Sequence, residues 1–279
     1  MSRRTLAREI AVTGVTLHAG VIARMVLRPA SPDTGILFRR RGVSIPALWS
    51  HVSETRLGTV IAHDGESVAV IEHLMAALAG AEIDDCLVDL DGPEPAILDG
   101  DALSYLTLLD QAGYSDAPGR RSLLTLSREV FVSAGDASCR LLPAAEPSFA
   151  FEIDFAAPAI GRQNFVLAFS PAAFRREIAP ARTFGFLKEA EQLRAAGLAR
   201  GADLTNTLVI GDEGLINPEL RRFSDEFVRH KILDAIGDLK LAGHRIQGRF
   251  EGVRSSHSLN NRLLRTLFSD PENYALIQA

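Results

Sequence analysis

The chain has 279 residues, 47% apolar and 23% charged, the balance of a globular protein with a substantial core. A formal net charge of −5 argues against a general nucleic-acid binder, whose footprint is a basic excess. Two separated cysteines, Cys86 and Cys139, make no disulfide framework, no apolar run follows the N-terminal arginines, and no stretch approaches the ~20 apolar residues of a membrane span. A cytoplasmic protein without stable membrane insertion is expected.

Taken in chain order, alternating segments such as VTLHAGVIARMVLRPA and CLVDLDG read as strands. SVAVIEHLMAALAGAEI passes from strand-like residues into a helix, with Leu74, Ala77 and Leu78 at helical spacing and Gly80 as its stop. DALSYLTLLDQAG reads as a second helix ending at Gly113. The polar Pro/Gly stretch YSDAPGRR is the best boundary, dividing the chain into 1–118 and 119–279. After it the order partly recurs. SLLTLSREVFVSAG and SFAFEIDFA read as strands, a helix runs from about Leu187 to near Gly197, and NTLVIGD reads as a strand. The longest helix lies in FSDEFVRHKILDAIGDLKLAG, with Ser224 as candidate N-cap and Gly243 just past its end. A strand in RIQGRFEGV and a last helix in SLNNRLLRTLF follow. Each half mixes strands and helices, so the fold class is α+β in two layered domains of similar size.

The longest helix carries ionisable groups among apolar ones. His230 and Asp234 are four apart and share a face, so they can offer an imidazole nitrogen and a carboxylate oxygen to one ion. The same spacing also fits an intrahelical contact. His73 in IEHLMAAL is a candidate third ligand, and two histidines with one carboxylate suit a catalytic zinc that keeps an open position. Its neighbour Glu72 sits where a carboxylate takes a proton from a water activated by the metal. His257 in SSHSLNN has a polar setting just before a helix.

The motifs GVTLHAG, VSETRLGT, IEHLMAALAG, PEPAILDG, ARTFGF, DEFVRHKILDAIGDL, AGHRIQG and SSHSLNN occur in the order and spacing of the UDP-3-O-acyl-N-acetylglucosamine deacetylases, and from Arg4 to about Leu267 the chain resembles that family of zinc amidases of lipid A biosynthesis. The resemblance implies two domains of similar topology, with helices packed between the sheets and the active site at the domain junction. It implies zinc held by His73, His230 and Asp234, with iron(II) as the alternative metal. Glu72 then resembles the general base, His257 the group that protonates the leaving amine, and Asp238 the carboxylate that orients His257. Thr183 resembles the residue that hydrogen-bonds the oxyanion, Lys231 a substrate-binding cation, and Phe184 a residue lining the substrate site. The segment near 186–214 corresponds to a β-α-β insert that shapes an apolar passage for an acyl chain. The implied partner is a small acylated UDP-sugar, and a monomer is expected. Three positions depart from the family's usual residues: Thr16 in GVTLHAG, Gly58 in RLGT and Asp101 in LDGDALSY. A zinc amidase acting on another acylated amino sugar, and a binding protein that has kept the constellation, are the alternative readings.

Overall fold

The alternation read from the sequence builds real strands. Ile22–Pro29 buries Ala23, Met25 and Leu27 and turns Arg24 and Arg28 away from the core, the period-two pattern of a half-buried strand. In the computed structural model, which describes residues 2–278, such strands form two five-stranded sheets. The first runs in the order Ile10–Val15, Ile22–Pro29, Cys86–Leu90, Ile36–Arg40, Val43–Pro46. The second runs Val130–Ala134, Ala137–Leu142, Arg249–Val253, Ser148–Asp154, Arg162–Ala168.

The two sheets share one topology. In each, two antiparallel hairpins flank a central strand that comes last in the sequence. That strand is antiparallel to one hairpin and parallel to the other. The partial recurrence in the sequence is thus a repeated α+β domain.

Six helices among the described residues accompany these layers, and those with buried faces pack between them. They are α1 (Glu72–Gly80), α2 (Leu103–Ala112), the single turn α3 (Pro171–Ala173) leading into a π-turn at Phe174–Ile178, α4 (Leu187–Ala195), α5 (Glu226–Lys240) and α6 (His257–Phe268). Eight of the nine residues of α1 and twelve of the fifteen of α5 are buried. A helix buried nearly all round is expected to be apolar all round. Glu226 is one exception, at the start of α5; the others, Glu72, His73, His230, Asp234 and Asp238, gather where α1 meets α5.

Two details differ from the sequence reading. Tyr114–Arg120, read as a polar boundary, forms a strand antiparallel to Ser2–Leu6. Pro118 is tolerated because this ribbon has only two strands, which leaves one side of each backbone free. Asp225, not Ser224, occupies the cap position of α5 and makes no cap bond. Its carboxylate is taken by the Arg229 guanidinium at 2.6 and 3.2 Å, while Glu226 turns back to accept the N–H groups of Arg182 at 2.9 Å and Phe223 at 3.1 Å. In the segment read as a β-α-β insert, Phe184–Phe186, Leu208–Gly211 and Gly214–Leu215 form a small sheet, and α4 lies against it with no buried residue.

Gly237 sits inside α5, where glycine is unfavourable relative to alanine by about 1 kcal/mol. A β-carbon there would lie 2.0 Å from the Glu72 carbonyl oxygen and 3.0 Å from its α-carbon. The two helices therefore meet backbone to backbone at the residue that begins α1. Gly237→Ala should destabilise the protein by about 2 kcal/mol or more, the scale of overpacking, in opposition to the gain from helix propensity. Urea denaturation checks this; an unchanged or raised midpoint would show that the helices need no such approach.

Candidate active site

His230 and Asp234 lie one turn apart on α5, with His230 Nε2 3.3 Å from Asp234 Oδ1. His73, the second residue of α1, brings its Nε2 to 3.7 Å from the same oxygen. The two imidazoles meet edge to face, centroids 4.9 Å apart. All three residues are buried, and one ligand atom from each lies within 4.8 Å of the others.

The chemistry of this cluster fits a cation. His230 Nδ1 lies 3.1 Å from the Ala181 carbonyl, which can only accept, so Nδ1 carries the hydrogen. Burial holds the His230 pKa below its usual value despite Asp234, so the ring is neutral. Its Nε2 lone pair then faces a carboxylate oxygen with no proton between them. Burial likewise pushes His73 down to about 3, helped by neighbouring His230, and its Nδ1 has no hydrogen-bond partner. Asp234 is ionised: burial opposes its charge, but the Lys231 ammonium and the protonated His257 hold its pKa well below the usual carboxylate range. Three buried acceptors thus converge, a donor set that suits a divalent metal ion.

Glu72 and His257 stand beside this cluster. His257 is the first residue of α6, and Ser256 caps that helix by accepting the Leu259 N–H at 3.4 Å. His257 Nε2 is 3.9 Å from Glu72 Oε1. Burial raises the Glu72 pKa to about 7, against the pull of His257. Burial works against charge on His257 too, but Asp238 and Glu72 outweigh it and raise the imidazole to about 9. Asp238 Oδ2 is 2.9 Å from His257 Nδ1 and accepts the Asn260 amide at 2.9 Å. Gly58 leaves room for the carboxylate: a β-carbon there would sit 2.9 Å from Glu72 Oε1.

The remaining candidates are Lys231, Thr183 and Phe184. Lys231 donates to Asp234 Oδ2 at 2.7 Å; burial disfavours its charge, but Asp234 prevails and the amine stays an ammonium. Thr183 is fixed by backbone bonds to Gly100 at 2.8 Å and Leu208 at 2.9 Å. The Phe184 ring lies 5.0 Å from Phe227 and 6.1 Å from His230. Thr183 and Phe184 line a cleft of about 500 Å³ whose apolar walls include Leu57, Leu187, Leu193 and Leu204. On α4, Leu187 is half exposed and lines the cleft with Ala190 and Leu193, so this helix turns an apolar side to the cleft instead of packing it into a core.

Some contributors had no chemical signal in the sequence reading, although they lie inside the quoted motifs. Thr59 contacts both Glu72 and Asp238, and Asn260 holds Asp238. The Ala181 carbonyl that sets the His230 tautomer is a backbone group and leaves no residue-type signal. His18 joins two segments at the cleft, accepting the Ala199 N–H at 3.3 Å and contacting the Leu57 carbonyl at 2.9 Å. Of the other two departures, Thr16 closes its own hairpin by accepting the Val21 N–H at 3.1 Å. Asp101 accepts the Ser104 N–H at 3.0 Å at the start of α2 and an ion pair from Arg222. Neither touches the cluster.

Residues 3–269 match the family model described as UDP-3-O-acyl N-acetylglycosamine deacetylase. The chain is 44% identical to the UDP-3-O-acyl-N-acetylglucosamine deacetylase of Myxococcus xanthus, covering 100% of this chain and 90% of that one. It is 44% identical to the protein of the same name from Nitratiruptor, over 100% of this chain and 94% of the other. With the corresponding protein of Syntrophotalea carbinolica the identity is 42%, over 99% and 90%.

If the three acceptors form a metal centre, Asp234→Ala should abolish stoichiometric metal, because it removes the only charged ligand. Elemental analysis after dialysis tests this. A variant that keeps one equivalent of zinc with its fold intact would refute the assignment.

Proposed function

The chain belongs to the family of UDP-3-O-acyl N-acetylglycosamine deacetylases, and from that premise we propose how its residues divide the work. The reaction is hydrolysis of the 2-acetamido group of UDP-3-O-[(3R)-3-hydroxyacyl]-N-acetylglucosamine, giving acetate and the free amine in lipid A biosynthesis. The observation that carries the reading is the convergence of His73, His230 and Asp234 beside a carboxylate–imidazole pair 3.9 Å apart.

His73, His230 and Asp234 hold the metal, which we take to be zinc; iron(II) suits the same donors. When bound, it polarises the acetyl carbonyl and makes a neighbouring water more acidic. Glu72 accepts the proton of that water as its oxygen attacks the carbonyl carbon. The Thr183 hydroxyl donates to the oxyanion that develops. His257 delivers its proton to the amide nitrogen, the C–N bond breaks, and acetate and the amine leave. Amide nitrogen leaves poorly without that proton, so the raised His257 pKa serves the step: the imidazole stays protonated at neutral pH. Asp238 acts through His257, holding its ring with Nε2 toward Glu72. Lys231, beside the metal ligands, is the cation for the substrate's diphosphate. Phe184 and the apolar cleft take the start of the acyl chain, and the cleft falls within the usual ~300–1,000 Å³ of small-molecule sites.

We take the protein to act as a monomer. Cys86 and Cys139 are buried free thiols, which supports a reducing, cytoplasmic setting. No helix among the described residues is long and apolar enough to cross a membrane.

Purified protein should release acetate from the acylated UDP-sugar, lose that activity on chelation and regain it with one equivalent of zinc. Equal activity on UDP-N-acetylglucosamine without the acyl chain would point to a different amino-sugar amidase. Glu72→Gln should retain zinc and lower kcat by about 10²- to 10⁴-fold, the usual contribution of a positioned base. Near-normal turnover would remove Glu72 from that role. The pH profile of kcat/KM should be bell-shaped. Glu72 acts only when deprotonated and His257 only when protonated, so the acid limb falls no higher than about 7 and the basic limb no higher than about 9. Nearby positive metal charge moves both limbs down. In His257→Gln the basic limb should disappear.

A further inference from the structure

Thr59 touches both arms of the acid–base pair. It follows Gly58, precedes the short strand Val60–His63, and is 1% exposed. Its N–H donates to Glu72 Oε2 at 3.0 Å. Its carbonyl accepts the N–H of Ile71, the cap residue of α1, at 3.4 Å. Its hydroxyl donates to Asp238 Oδ1 at 2.6 Å, a short bond of the charge-assisted kind. We propose that Thr59 is a positioning residue that sets Glu72 and His257 at their working separation; this rests on the acid–base roles proposed above.

The geometry singles out the hydroxyl. Asp238 has two oxygens with separate partners. Oδ2 meets His257 Nδ1 and the Asn260 amide, and Oδ1 meets Thr59. Without the Oδ1 bond, both remaining partners pull on one oxygen, and the carboxylate is free to turn about its terminal torsion, which is broad and soft. Any such turn swings the His257 ring, because Nδ1 follows Oδ2. Glu72 is fixed from the other side by the N–H of the same residue. One rigid unit therefore spans from the base to the carboxylate that aims the acid. A β-branched residue suits this task, since threonine has fewer χ1 options than serine and holds its hydroxyl on one heading. The alternative, a buried hydroxyl that merely finds an acceptor, predicts a loss of stability without a change in His257.

The test uses the full-length zinc-loaded protein as wild type, Thr59→Val and Thr59→Ser. Valine keeps the shape and the backbone N–H but removes the Oγ1 donor. Acetate release gives kcat and KM, elemental analysis gives zinc content, thermal melting checks the fold, and nitrogen-15 NMR follows the His257 Nδ1–H. In Thr59→Val we expect full zinc, KM within about twofold and kcat lower by about 10- to 100-fold, the size of a lost hydrogen bond to a charged group. The His257 Nδ1–H resonance should shift in valine and return in serine, with kcat largely restored. A valine variant with wild-type kcat overturns the proposal. So does a serine variant as slow as valine, or a slow valine variant whose His257 resonance is unmoved. If wild type releases no acetate yet the resonance still responds to valine and serine, the deacetylase reading fails while the positioning of His257 stands.

Discussion

The backbone contact between α1 and α5 is the constraint on which the rest depends. Gly237 puts the α5 backbone against the Glu72 peptide, with no side chain between. That approach brings His73 on α1 to His230 and Asp234 on α5 and sets Glu72 beside Asp238. Any ordinary side chain at position 237 would separate the helices by a distance larger than the tolerance of a metal site, where donor positions matter to a few tenths of an ångström. Glycine weakens the helix locally, yet most of the stability of a buried helix comes from packing, so α5 tolerates it.

Charge follows from that proximity. Three carboxylates, Glu72, Asp234 and Asp238, share a buried region with Lys231 and a protonated His257. Their formal sum is one negative charge, and a divalent cation turns it positive. A buried site with a surplus carboxylate disfavours folding unless something compensates it. The same cation would leave the pocket attractive to a diphosphate on a protein whose net charge is −5. The apolar cleft beside it supplies the other half of the recognition, since α4 contributes leucines to its wall and buries none of its own residues.

The site was unevenly legible. Helical spacing alone placed His230, Asp234 and Asp238 on one face, because a period of 3.6 residues makes such positions neighbours. Glu72 and His73 lie far away in sequence; residue type made them candidates to join α5, and the resemblance gave them their roles. Lys231, which resembles a substrate-binding cation, is paired with Asp234, a contact three residues along the helix that spacing permits and does not require. Ser224 looked like a cap, yet the local competition between Arg229 and Asp225 decided that end of the helix differently. The boundary stretch at 114–120 became a strand because Ser2–Leu6 was available to pair with it, a partner more than a hundred residues distant.

The sequence by itself determined the α+β class, the helices that carry the ionisable residues, and which residue types could bind a metal or move a proton. These are local properties of periodicity and side-chain chemistry. Tertiary structure alone decided the tautomer of His230 through a backbone carbonyl, the 3.9 Å gap between Glu72 and His257, and the junction at Thr59. Each of these depends on groups brought together from distant parts of the chain at separations of a few ångströms, and such distances are fixed by packing, which no local pattern encodes.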